Sequence, residues 1–374
     1  MPPSLENITI LFTGDLSITG VFHDEVLKGR DFFSDKLSEI IQDADYCVCN
    51  FEGPATNQSE ISNTGYRIVS SPHSIEYLLS KNIGVFNLAN NHIFDCGLSG
   101  FMETTRRIAE NKGTYFGAGL NIQDASQPIY LERKSVIVAL IGISQNTGMV
   151  AKKDAPGVFS EKQMKLLKKQ VAQAKKSANW VIVNSHGGEE YTFYPSPLKR
   201  KMALMISELP GVDIVICHHS HTFQGIEIRN RKTIFYSLGN FVFDFASHHI
   251  YPFTDQSAIV SLEFSRSDYT YTLIPTKMNY NEKQIQLADK EFIKRIETLS
   301  DFSGYRKKWM NEAERVLFNT NYVPTSLVNP KRLQNKSLVK CFFQIKFYKK
   351  IWLILHQPYM RSLYIHAVLS KIFK

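Results

Sequence analysis

Five short segments of this 374-residue chain gather side chains of the kind that bind divalent metal ions. They are Gly14-Asp15, Asn50-Phe51-Glu52-Gly53, Asn90-Asn91-His92 with Asp95 and Gly97 close behind, His186-Gly187-Gly188-Glu189, and His218-His219-Ser220-His221. Carboxylates, an amide oxygen and imidazoles are the donors that hold Mn, Fe, Zn and similar ions. Each segment alone has a plain structural use: Gly-Asp often ends a strand, and an Asn-His pair often sits in a turn. Three imidazoles within four residues are harder to explain as structure, and five such segments together point to a metal centre.

The elements around them share one arrangement. Apolar runs at 8–13, 46–50, 85–88, 136–143, 180–184 and 214–217 read as strands, and the stretches 32–41, 74–80, 99–111, 161–176 and 198–209 have helical spacing. Ser160 stands where an N-cap belongs. Strand–helix alternation implies an α/β fold with helices packed on a sheet. Every chemically interesting residue falls just after a strand, so scattered segments converge on the carboxyl edge of the sheet, where open α/β folds bind ligands. Beyond His221 the runs 223–228, 233–237, 258–264 and 269–274 follow one another without helices, and read as an antiparallel second sheet facing the first. Helical composition returns from 285 to about 318.

The motif order resembles that of the calcineurin-like metallophosphoesterases: Asp-x-His, Gly-Asp, Gly-Asn-His, His, then Gly-His-x-His. The resemblance is nearer to the CapA branch, concerned with capsule and poly-γ-glutamate synthesis. There Glu replaces the middle Asp, Asn-Asn-His replaces Gly-Asn-His, and Gly-His-His-Pro-His precedes Ser-Leu-Gly-Asn-Phe. The counterparts here are Asn50–Glu52, Asn90–His92 with Asp95 and Gly97, His186–Glu190, Cys217–His221 and Ser237–Phe241, over about residues 8–243.

This resemblance implies a four-layer αββα sandwich in residues 1–280, followed by a peripheral helical segment at 281–330 and a basic, aromatic-rich extension at 331–374. It implies two divalent ions, Mn, Fe or Zn. Asp15 and His221 hold one, Asn91, His186 and His219 the other, and Glu52 bridges them. His92 stands beside the leaving group as general acid or electrostatic stabiliser. Asp95 either orients His92 or caps the helix near Leu98. Asn50, Glu189, His218 and Asn240 are substrate contacts or supports of the ligands, whereas Glu190, His248 and His249 read as surface residues. Two departures bear on the ions: the first motif is Asp15-Leu16-Ser17, without its imidazole, and Cys217 and Ser220 replace Gly and Pro. The function implied is metal-dependent hydrolysis of a phosphoester in capsule, polysaccharide or poly-γ-glutamate biosynthesis. Hydrolysis of an amide bond, or a non-catalytic metal-site protein that organises a polyanionic polymer at the membrane, are the alternatives.

Charge and cysteines set the surroundings. The chain carries 44 basic and 35 acidic residues, net +9. Ten of the basic residues and none of the acidic ones fall in 331–374, so the rest is near neutral and the basicity belongs to the tail. Phe342, Phe343, Phe347, Tyr348, Trp352, Tyr359, Tyr364 and Phe373 are interleaved with those charges. The tail reads as a helical hairpin split at Pro358 and packed on the body, or as an interfacial segment on anionic lipid. No nucleic-acid fold motif accompanies it, so the expected partner is an anionic polymer or phosphoester, with membrane-surface contact through 331–374. Five dispersed cysteines fit a reducing compartment, with Cys47 and Cys49 sharing one strand face. With no secretory signal pattern and no long apolar run, the expected location is the cytoplasm, or the inner membrane face.

Overall fold

The strand Ile8–Ser17 sends Ile10 and Phe12 to one side and Leu11 to the other, and all three are buried. Side chains alternate along a strand, so a strand apolar on both faces lies between two layers. The computed structural model, which describes residues 7–57, 67–145, 149–246, 248–316, 364–367 and 369, shows which layers these are. One sheet runs in the order Gln284–Leu287, Tyr269–Asn279, Gln256–Phe264, Ile8–Ser17, Tyr46–Phe51, Ile83–Asn87, Thr114–Phe116, with Asn240–Phe243 also paired to Ile8–Ser17. The other runs Phe223–Arg229, Lys232–Leu238, Ile214–His218, Trp180–His186, Val136–Ser144, Ile129–Arg133.

Ile10, Phe12, Val48 and Val85 of the first sheet meet Val138, Leu140, Ile182 and Ile216 of the second in one core. The outer face of the first sheet packs Leu11, Cys47, Cys49 and Phe86 against Leu37, Ile41, Ile75, Leu78 and Ile108 of three helices. On the second sheet, Ile141, Val181, Val183 and Val215 meet Leu167, Val171, Ala203 and Ile206 of Met164–Ala174 and Pro197–Ser207. The layers are therefore helix, sheet, sheet, helix, as the resemblance implied. Phe292, Ile296 and Leu299 of the helix Lys290–Ser300 join the core between the sheets. The Ser160 cap is present as a capping box with Gln163.

The expectation for the later strands needs correction. They do not form a second sheet of their own. Phe223–Arg229 and Lys232–Leu238 extend the sheet of the middle strands, while Gln256–Phe264 and Tyr269–Asn279 return to flank Ile8–Ser17. Alternation in sequence fixes which faces are buried, but it does not fix which strand pairs with which. The reading of the tail as a hairpin or lipid-binding segment lies outside the described residues, except at Tyr364–Ala367 and Leu369. There Ala367 is buried, with Tyr364 beside it, against Tyr191, Tyr251, Trp309 and Ala313. Among the described residues no helix is long and apolar enough to cross a membrane.

The end of the first strand is shaped by close backbone approach. A Cβ on Gly14 would lie 2.0 Å from the carbonyl oxygen of Gly239, the same oxygen that accepts a 2.8 Å hydrogen bond from the Asp15 amide. Gly14→Ala must therefore push two strands apart. It is expected to cost roughly 2–4 kcal/mol, seen as a lower urea midpoint, and to displace Asp15 as well. An unchanged midpoint would show that the 240–243 strand gives way freely.

Candidate metal centre

Strand register delivers the side chains in rows. Asp15, Asn50 and Asn87 are successive neighbours across three parallel strands of the first sheet, and Ser144, His186 and His218 across three of the second. Parallel neighbours stand about 4.8 Å apart, close enough for side chains to interact. Register shifts fall next to Asp15 on both of its parallel neighbours, the mark of β-bulges that re-aim a side chain.

In the first row, Asn87 donates to Asn50 Oδ1 at 2.9 Å, and the Asn50 amide nitrogen donates to Asp15 Oδ1 at 2.9 Å. The same nitrogen lies 3.1 Å from His186 Nδ1 and so ties the two sheets together. Asn87 was not singled out in the sequence. Its signal was a polar residue ending a buried apolar strand.

On one side of the centre, His186 Nε2 lies 2.7 Å from Asn91 Oδ1, 3.1 Å from His219 Nδ1 and 3.8 Å from Glu52 Oε1. Donors about 2.1 Å from a common ion stand about 3 Å apart on neighbouring coordination positions, so this cluster has the dimensions of a ligand set. On the other side, His221 Nδ1 lies 3.7 Å from Asp15 Oδ2 and 2.9 Å from Asn240 Oδ1. Asn240 thus holds that nitrogen and leaves Nε2 of the ring available. Two groups of donors meet the spatial requirement for an ion, Asp15–Glu52–His186 and Glu52–His219–His221, and Glu52 belongs to both.

Glu52 is fully buried, and neither of its oxygens has a hydrogen-bond partner. Burial, and then the charges of Asp15, Glu190 and Asp95, push its carboxyl well above the usual range. Burial also acts to raise Asp15, but His218, His221 and His219 together hold it below the usual value. His186 and His219 are held well below the usual imidazole value by burial and then by neighbouring charges. A buried carboxylate without partners is costly, and neutral imidazoles are the ligating form. The donor set fits divalent ions.

His92 faces this cluster, with Nε2 3.9 Å from Glu52 Oε1. Its Nδ1 lies 2.7 Å from Asp95 Oδ2, which also accepts from the Ile68 amide at 2.9 Å. Of the two roles open for Asp95, the structure places it on His92. The helix Gly97–Glu110 begins after Cys96 with no side-chain cap.

The His218–His221 turn is itself strained: His219 and His221 have φ of 90° and 56°, in the left-handed region that residues other than glycine rarely occupy. Three contacts hold it. The His219 amide donates to Asp15 Oδ2 at 3.2 Å, the buried Lys199 Nζ to the His218 carbonyl at 3.1 Å, and the Tyr191 amide to the Ser220 carbonyl at 2.7 Å. Glu189 is buried too, its carboxyl raised to about 8 by burial, with Ser196 and Lys199 opposing.

One sequence expectation is overturned here. His248 is not a surface residue: it is 2% exposed, stacked on Phe243 and 4.4 Å from the His221 ring, with Nδ1 3.3 Å from the Asn240 amide nitrogen. Tyr191, from a distant segment, closes over it. His249 is half exposed and pairs with Asp244 at 2.7 Å.

Comparison with known proteins agrees with these motifs. A family model described as bacterial capsule synthesis protein PGA_cap matches residues 9–245, well over half of the chain. The chain is 35% identical over 240 residues to the PGA biosynthesis protein CapA of Bacillus subtilis (strain 168), covering 62% of each protein. It is 32% identical over 251 residues to the capsule biosynthesis protein CapA of Bacillus anthracis, covering 64% of this chain and 60% of that one. The matched region thus spans less than two thirds of either relative. Among solved structures, the calcineurin-like phosphoesterase YfkN of Bacillus subtilis overlaps 79% of this chain and 98% of that one, at 13% identity and a TM-score of 0.42. At that score the description of the fold rests on the strand order above. With its motifs inside the matched region, the chain belongs to the PGA_cap family of bacterial capsule synthesis proteins.

Proposed function

We propose that this protein is a metal-dependent hydrolase of phosphoester type, acting in capsule or poly-γ-glutamate synthesis at the cytoplasm or the inner membrane face. The observation that carries the reading is Glu52, a buried carboxylate with no partner of its own, shared by two donor groups. Asp15 and His221 would hold one ion, Asn91, His186 and His219 the other, and Glu52 both. Bound ions would supply Lewis-acid polarisation of the phosphoryl oxygens and a nucleophile at neutral pH.

The chain's own residues do the rest. Asn50 fixes Asp15 and His186 relative to each other. Asn240 orients His221, and Asp95 holds His92 Nδ1 so that Nε2 faces the centre. From there the ring acts on the departing oxygen, as general acid or as electrostatic stabiliser. The process is supported by the family and by the names of the two CapA relatives. An anionic polymer or a phosphoester intermediate is the substrate class, residues 1–280 are the catalytic unit, and 331–374 are its membrane-facing extension.

Metal content decides first. The purified protein, reconstituted with Mn or Zn, is expected to hold about two ions per chain, and an Asp15→Ala plus His219→Ala variant to lose them. Hydrolysis of a generic phosphoester should fall to the uncatalysed background when the ions are chelated. Equal rates with and without metal would end the catalytic reading.

A further inference from the structure

The two sides of the centre are unequally supplied. In the assignment proposed above, Asn91, His186 and His219 stand with Glu52 around one ion, whereas among the described residues the ion of Asp15 is left with His221 and the shared Glu52. Ser17, two residues beyond Asp15 on the same strand, is buried, and its hydroxyl is bonded to Ser70 Oγ at 3.1 Å.

His218 is placed to fill the gap. It is 2% exposed, and its Nδ1 has no hydrogen-bond partner. As the register partner of His186 it leaves the second sheet on the same side, and Nδ1 comes within 3.4 Å of Asp15 Oδ1. That gap is long for a hydrogen bond, but it matches the spacing of two donors on one ion. A buried polar atom left without a partner costs roughly 1–3 kcal/mol, which ligation would remove. Lys199 Nζ fixes the His218 carbonyl and so the backbone from which the ring projects.

We propose that His218, through Nδ1, is a ligand of the ion held by Asp15, Glu52 and His221, in place of the imidazole that Ser17 does not provide. This assignment rests on the metal-centre reading above. The test is a titration of the chelator-stripped full chain with Mn(II), read by calorimetry, together with ion content by mass spectrometry. In His218→Ala the ion on the Asn91–His186–His219 side is expected to bind as in wild type, which also reports an intact fold. The other ion weakens by about 100-fold or more. His218→Asn, which keeps an amide oxygen near Asp15, should recover part of that loss.

Three outcomes overturn the assignment. If His218→Ala holds both ions within about twofold of wild type, His218 is not a ligand while the metal reading stands. If both variants lose both ions, His218 is a structural support of the whole centre. If wild type itself binds fewer than two ions, the two-ion reading fails together with this one.

Discussion

Glu52→Gln is expected to empty the centre of both ions and, in the same molecule, to make the metal-free chain more stable than wild type. Opposite signs follow from one fact: the carboxylate is fully buried and bonded to nothing else. In the proposed centre its charge would neutralise both ions, which an amide cannot do. Affinity falls at both positions and hydrolysis falls to background. Without ions, ionising this carboxyl next to Asp15 in a fully buried site is unfavourable, so toward neutral pH the acid costs the fold stability that an amide, which does not ionise, does not. The pH dependence has a definite sign. Burial and the neighbouring acids raise the folded-state value above 4.5, so the group favours the fold at pH below the unfolded value. That contribution is lost as pH rises through the folded value. The advantage of Glu52→Gln should therefore vanish near pH 4.5 and grow toward neutrality. Urea unfolding of the two chelator-treated proteins across that range measures it. A metal-free variant less stable than wild type at neutral pH would mean that the carboxylate is satisfied by some other group.

Much of this site was readable because strand ends are readable. A continuous apolar run that closes on Asp15, Asn50, His186 or His218 marks both the strand and its carboxyl edge, and parallel register then lines those residues up without further information. Sheet membership was not readable. Phe223–Arg229 and Gln256–Phe264 have similar local patterns, yet one extends the second sheet and the other the first. Phe223–Arg229 pairs with its neighbour Lys232–Leu238, whereas the placing of Gln256–Phe264 depends on contacts more than two hundred residues apart in sequence, such as Ile8 with Phe264. The same reason hid His248. Its stretch of sequence shows no strand or helix period, and it is buried by Tyr191 and His221 from other segments together with Phe243 on the strand just before it. Asp95 is the intermediate case. Its spacing from His92 allowed two roles, and only the 2.7 Å contact in the structure chose between them.

The second large effect concerns His92. His92→Ala should lower kcat by roughly 10²–10⁴ while ion content stays at the wild-type level, because the ring faces Glu52 from 3.9 Å without belonging to either donor group. Its side chain is 15% exposed where Glu52 is wholly enclosed, so it sits between the centre and the solvent from which a substrate arrives. The leaving group distinguishes the two ways it can act. A nitrophenolate departs without needing a proton, whereas an alkoxide does not leave readily unless protonated. If His92 is the general acid, His92→Ala must damage turnover of an alkyl phosphoester far more than that of a nitrophenyl one. Asp95→Asn should then fall between wild type and His92→Ala on the alkyl substrate, since it loosens the ring without removing it. Equal losses on both substrates would assign His92 to charge stabilisation of the phosphoryl oxygens. No loss on either, with ions still bound, would remove His92 from the chemistry.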